Sequence, residues 1–147
     1  MIEDKVFIDT NIWIYGLTES KLKSDYNKRK ISLLTLEKLL EQQKQIYISI
    51  QIVNECHWNL VRKFKLSDIV VEETIKKGML KITNVLGLNL NTYTQANELR
   101  KIYNFSFWDS LVIASALESN CSILYTEDMQ DGQIIQNRLK IINPFIE

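Results

Sequence analysis

Histidine is almost missing from this chain of 147 residues; His57 is the only one. Catalysis that needs two histidines is therefore excluded, and a zinc site of the usual Cys/His type lacks ligands. Cysteine is nearly as scarce. Cys56 and Cys121 are far apart and have no metal-type spacing, so they are expected as buried, reduced thiols. A Cys56–His57 dyad is also a poor prospect, because adjacent helix positions point in different directions. One proline and four glycines exclude a long linker or a disordered tract. Charge of one sign is missing too: 18 basic residues balance 18 acidic ones. Contact with a polyanion must then come from local basic clusters and not from net charge. No apolar run approaches the ~20 residues that span a bilayer. The start, Met1-Ile2-Glu3-Asp4-Lys5, does not read as a secretory signal. These features predict a cytoplasmic protein with no membrane partner.

What is present suits one compact domain over residues 1–147, with 46% hydrophobic and 24% charged residues. Lys5-Val6-Phe7-Ile8 reads as a buried strand ending at Asp9. A short helical turn over 11–16, stopped by Gly16, follows it. Residues 24–43 carry leucines 33, 36, 39 and 40 at helical spacing. Ile46-Tyr47-Ile48 is strand-like, and 49–65 is helical, with Val53, Cys56, His57, Leu60, Val61 and Phe64 on one stripe. Ser67 is placed to cap a helix over 68–80. Val85-Leu86 reads as a short strand broken by Gly87, and 93–103 as a helix. The span 108–118 is helical and apolar nearly all round, which marks a deeply buried helix. Ser122 to Tyr125 and Lys140-Ile141-Ile142 complete the set as strands. Apolar strands alternating with helices predict a three-layer α/β/α fold around a central parallel sheet.

In such sheets the working crevice lies at the carboxyl ends of the strands. Asp9 follows the first strand, Glu55 lies near the start of the helix after the second, and Asp128 follows the strand ending near Thr126. Asp109 instead opens the buried helix. Each acid taken singly suits a cap; Ser106-x-x-Asp109, for example, has capping-box spacing. Gathered together they repel. Two carboxylates ~5 Å apart at an effective dielectric of ~20 oppose each other by about 3 kcal/mol. A hard divalent cation relieves that repulsion, and oxygen-only ligands favour magnesium or manganese. Such an ion supports phosphodiester hydrolysis without histidine.

Four segments carry the acids: Phe7-Ile8-Asp9-Thr10-Asn11-Ile12, Asn54-Glu55, Phe107-Trp108-Asp109-Ser110 and Leu124-Tyr125-Thr126-Glu127-Asp128. In this order they resemble the acidic motifs of PIN domains, and among these the VapC-type toxins of bacterial toxin–antitoxin pairs. The resemblance runs from about Lys5 to Phe145. It implies a metal-dependent endoribonuclease whose quartet Asp9, Glu55, Asp109 and Asp128 binds Mg2+ or Mn2+. Thr10 and Asn11 match positions near the metal, and Thr126 a hydroxyl that orients water or a carboxylate. Asp128 matches the last acid, with Glu127 and Asp131 as neighbours able to assist. The resemblance further implies an RNA substrate, a homodimer, and a cognate antitoxin whose C-terminal segment occupies the groove.

The rival readings are a solitary PIN nuclease, a non-catalytic RNA- or protein-binding module, and an aspartyl phosphatase. The last expects a second Asp where Asn11 stands. Basic clusters able to meet RNA are Lys28-Arg29-Lys30, Arg62-Lys63 with Lys65, Lys76-Lys77 and Arg100-Lys101. Each also reads as a solvated helix face. Trp58, Tyr103, Phe105, Phe107 and Trp108 are able to stack on bases, although Trp108 is expected in the core.

Overall fold

A computed structural model describes residues 5–146. The reading of Met1 to Asp4 lies outside the described residues. The strands are β1 (Lys5–Ile8), β2 (Gln45–Ser49), β3 (Thr83–Leu86), β4 (Ile123–Tyr125), β5 (Ile134–Ile135) and β6 (Leu139–Ile142). The helices are α1 (Thr10–Leu17), α2 (Ser24–Glu41), α3 (Ile50–Phe64), α4 (Asp68–Gly78), α5 (Leu90–Ile102) and α6 (Phe107–Glu118).

The sheet runs in the order β3-β2-β1-β4-β6-β5. All pairings are parallel except β5–β6. Central β1 has strands on both sides and layers on both faces. Its Val6, Phe7 and Ile8 are accordingly all buried, as a doubly covered parallel strand requires. Phe7 pairs in register with Tyr47 on one side and Leu124 on the other. Helix α1 packs on α2, α3 and α4, while α5 packs on α6 and α6 on β2. The expected three-layer α/β/α arrangement is thus present, with one antiparallel edge strand added.

Local chemistry explains the helix boundaries. Ser67 accepts from the Val70 amide and starts α4. Asn89 and Thr92 form a reciprocal capping box on α5. Ser106 accepts from the Asp109 amide and starts α6, whose residues from Ser110 to Leu117 are all buried.

Several expectations are corrected. Gly16 lies inside α1 and does not stop it. Of the leucines in α2 only Leu36 and Leu39 face the core, because the helix lies across the surface; Leu33 and Leu40 are exposed. Helix α4 ends at Gly78, where a Cβ would come within 2.6 Å of a Leu17 methyl, and a 3-10 turn carries the chain on through Leu80–Ile82. Trp108 is 65% exposed: it stands in the first turn of α6, before the helix enters the core. In the cluster Lys28-Arg29-Lys30, two of the three cations are engaged by the protein. Lys28 pairs with Glu127, and Arg29 donates to the carbonyls of Tyr15, Gly16 and Thr18. Lys76, Lys77 and Lys101 pair with glutamates on their own helices. Cys56 and Cys121 are buried and unbridged, as expected.

Candidate active site

Strand order reverses at β1. The chain leaves β1 toward β2 and β3, then returns to β4 on the other side. Such a switch point leaves a crevice at the carboxyl ends of the two diverging strands. Asp9 follows β1 directly, and Thr126 follows β4. The ladder continues into this edge, since the Asp9 amide donates to the Tyr125 carbonyl and the Thr126 amide to the Ile142 carbonyl, each at 3.0 Å.

Asp9 is 7% exposed. Its Oδ1 accepts from the Thr10 amide at 2.8 Å, so it does cap α1. Its Oδ2 accepts from the Thr126 hydroxyl at 2.9 Å. The same Thr126 oxygen accepts from the Asp128 amide at 3.2 Å. One hydroxyl thereby couples the first acidic segment to the last. The Asn11 side-chain amide donates to Asp128 Oδ2 at 3.3 Å, a second link between these segments.

Glu55 rides on α3, which leaves the end of β2, the other neighbour of β1. Gln51, one turn earlier, donates to Glu55 Oε1 at 2.8 Å. Asp109 arrives differently. Helix α6 must run antiparallel to the strand it precedes, so its N-terminus lies at the carboxyl edge of the sheet.

Charge ties the set together. The Asp9 pKa is raised from 3.8 to about 6: burial is the largest cause, its hydrogen bonds to Thr10 and Thr126 oppose it, and the charges of Asp128 and Glu55 add to it. Asp128 is raised by burial and by the charges of Glu127 and Asp109, while Lys28 lowers it. Burial raises Asp109, opposed by Ser106. Glu55, Asp9, Asp128 and Asp109 are therefore linked in series by electrostatic contact. Among the described residues, no three His, Cys, Asp or Glu side chains are arranged to hold a metal ion by themselves.

The donor set nevertheless fits a hard cation bound mostly through water. Magnesium characteristically takes one or two carboxylates and keeps several waters. The proton affinity of Asp9 and Asp128 is raised first by burial and then by neighbouring carboxylate charge, both of which a bound cation would offset. Buried Thr10 Oγ1, Ser49 Oγ and Gln51 Oε1, near the ends of β1 and β2, have no protein partner. Buried polar atoms ordinarily find one, in protein or water.

Sequence reasoning missed Tyr15 and left open whether Glu127 assists Asp128. Tyr15 donates to Glu127 Oε1 at 2.7 Å, and Lys28 donates to Glu127 Oε2 at 2.8 Å. Glu127 is thus engaged by protein and anchors the Asp128 loop. Asp131 accepts from the Asn143 amide instead of joining the crevice. Helical spacing held a signal, since Asn11 and Tyr15 share a face of α1, as Gln51 and Glu55 do on α3.

An open, mostly parallel sheet with a row of acids at its switch point defines a class of α/β protein built to handle charged ligands at one edge. The sequence profile of the PIN domain matches residues 6–130, so the chain belongs to the PIN-domain family. Solved structures share the fold. VapBC2 from Rickettsia felis, bound to a DNA fragment from its promoter, is 19% identical with a TM-score of 0.65, covering 95% of this chain and 99% of that one. A toxin–antitoxin complex from Klebsiella pneumoniae is 20% identical with a TM-score of 0.65, covering 95% and 98%. VapC20 of Mycobacterium tuberculosis, a sarcin–ricin-loop-cleaving toxin, is 16% identical with a TM-score of 0.60, covering 84% and 91%. No curated protein matches the chain.

Proposed function

We propose that this PIN domain is a magnesium- or manganese-dependent endoribonuclease, the toxin of a type II toxin–antitoxin pair acting in the cytoplasm. The observation that carries the reading is the buried Asp9 carboxylate at the switch point, coupled through the Thr126 hydroxyl to the Asp128 loop. Asp9, Asp128, Asp109 and Glu55 would hold the ion. A bound divalent cation supplies Lewis-acid polarisation of a phosphodiester and stabilises the charge that develops on it.

The chain's own residues do the positioning. Thr126 holds Asp9 Oδ2 in place, and Asn11 orients Asp128. Tyr15 and Lys28 hold Glu127, so the loop carrying Asp128 is pinned from behind. Gln51 holds Glu55 Oε1, and among the described residues no hydrogen bond reaches Oε2, which would be free to take a proton from an attacking water.

Partner binding is supported by an exposed apolar edge beside the acids. Tyr93 packs on Phe107, and Phe107 on Trp108. Trp108 in turn lines a hollow with Ile50, Leu88 and Glu55. Contiguous exposed apolar surface of this kind marks interaction sites, here for a second copy or the cognate antitoxin. No described helix is long and apolar enough to cross a membrane.

The experiment is cleavage of labelled RNA in magnesium or manganese, with and without chelator, by the wild type and by Asp9→Asn and Asp109→Asn. Each variant is expected to fold and to lose cleavage by about a hundredfold or more, the scale on which such groups act. Full activity in a variant, or equal cleavage in chelator, refutes the mechanism.

A further inference from the structure

The Asp128 loop carries one carboxylate more than the crevice uses. Glu127 precedes Asp128 directly. Both of its oxygens are taken: Tyr15 donates to Oε1 at 2.7 Å and Lys28 to Oε2 at 2.8 Å. The Glu127 side chain is only 14% exposed, so this pair is not a solvated surface bridge. Asn11 holds Asp128 and Tyr15 holds Glu127, and the two holders lie one turn apart on α1. Helix neighbours at that spacing are ~5–6 Å apart. The two carboxylates are thus kept side by side, and after burial the charge of Glu127 is the largest cause raising the proton affinity of Asp128.

Lys28 is itself enclosed. Its Nζ lies 5.2 Å from the centre of the Tyr15 ring and 5.5 Å from that of Phe145, distances at which a cation is drawn to a ring face. The two rings meet edge to face at 5.4 Å. Phe145 is brought here by the turn after β6. Asp131 accepts from the Asn143 amide, and Asn143 Oδ1 accepts from the Phe145 amide. The donors keep their protons. The Tyr15 pKa is pushed up to about 12, by burial first and then by the hydrogen bond to Glu127. The bond to Glu127 is also the main cause that raises Lys28.

Holding the loop does not need all of this. Thr126 already takes the Asp128 amide, Asn11 the Asp128 carboxylate, and Asp131 the strand-end amide of Asn143. The added restraint has a chemical consequence, because carboxylate number separates the hard cations. Magnesium takes one or two carboxylates and keeps several waters, whereas calcium takes about 6–8 oxygens in a flexible shell.

We propose that Tyr15, Lys28 and Phe145 form a clasp that withholds Glu127 from the acidic crevice, and that this withholding sets a preference for magnesium over calcium there. The inference rests on the reading of the crevice as a divalent-cation site and goes beyond it to ion selectivity. The three clasp members are positioning residues, acting through Glu127.

The test reads ion binding apart from cleavage. Mn2+ bound to the full chain is followed by electron paramagnetic resonance and displaced with Mg2+ or Ca2+, which gives the ratio of the two affinities. Lys28→Met/Tyr15→Phe releases Glu127, and the ratio is expected to move toward Ca2+ by about tenfold or more, the scale on which ligand charge tunes such sites. Loss of the Lys28 charge acts alike on two ions of equal charge, so the ratio reports the added ligand. Adding Glu127→Gln to this double variant is expected to restore the wild-type ratio, and Glu127→Gln alone to leave it unchanged. Phe145→Leu keeps apolar bulk but loses the ring face; it is expected to move the ratio the same way by about 2- to 5-fold, and Phe145→Tyr to preserve it. A wild-type ratio in Lys28→Met/Tyr15→Phe, or a shift that persists when Glu127→Gln is added, overturns the proposal and leaves the cation reading standing. A shift in Glu127→Gln alone also overturns it, because Glu127 then already serves the ion. A wild type that binds no Mn2+ overturns both.

Discussion

Replacing Asp9 by asparagine should stabilise the protein at neutral pH while removing its activity. The unfolded chain releases this proton near the ordinary 3.8, and the folded chain near 6. Between those values the folded state holds a proton that the unfolded state has lost, so folding weakens as pH rises through that window. The associated stability is complete below 3.8 and gone above about 6. At ~1.4 kcal/mol for each tenfold change in proton affinity, the cost at pH 7 is about 3 kcal/mol. The side chain is only 7% exposed, so solvent screening takes little from this figure. Asparagine has no charge to bury, and its carbonyl oxygen still accepts from either the Thr10 amide or the Thr126 hydroxyl. Loss of one charge-assisted bond offsets part of the gain, by about 1 kcal/mol. Urea denaturation in chelator between pH 4 and 8 measures this. The stability of Asp9→Asn relative to wild type should climb by about 2 kcal/mol from pH 4 to 7. A difference that stays flat with pH means that Asp9 does not carry uncompensated charge, and the argument for a cation at this site then falls.

Thr126→Val removes the hydroxyl that serves both Asp9 Oδ2 and the Asp128 amide. It should cost about 1–3 kcal/mol in denaturant unfolding and push the Asp9 carboxyl still higher in an NMR titration; a loss below about 0.5 kcal/mol excludes the coupling role. Magnesium or manganese at ~100 times its dissociation constant should stabilise the wild type by about 2.7 kcal/mol and Asp9→Asn by much less. Equal stabilisation in thermal melts would place the ion elsewhere. Light scattering at micromolar concentration should give a dimer mass, and a monomer would remove the second copy from the apolar edge at Trp108.

The fold was legible where pattern and burial coincide. Lys5–Ile8 and Ile123–Tyr125 are apolar runs because they lie inside a covered parallel sheet, and their shortness and β-favouring side chains mark them as strands. The strand Ile134–Ile135 was not legible, because two residues carry no period and the strand exists only through its pairing with Leu139 and Lys140. Leu33 and Leu40 misled, since a helix lying on the surface buries a narrower stripe than its leucines suggest. Trp108 misled for a related reason: composition of a whole helix does not tell which turn clears the core. At the site, the acidic segments stood out because strand ends and helix starts are local signals. The service of Glu127 to Tyr15 and Lys28 did not, because it joins residues 112 and 99 positions apart and depends on packing alone.

The Thr126 bridge also sets an order of events during synthesis. Asp9 leaves the ribosome 117 residues before the hydroxyl that orients it. Through most of translation the growing polypeptide carries the first acid with neither β4 nor the Asp128 loop to complete the crevice. A ribosome making this chain meets no assembled acidic crevice until Thr126 and Asp128 have emerged.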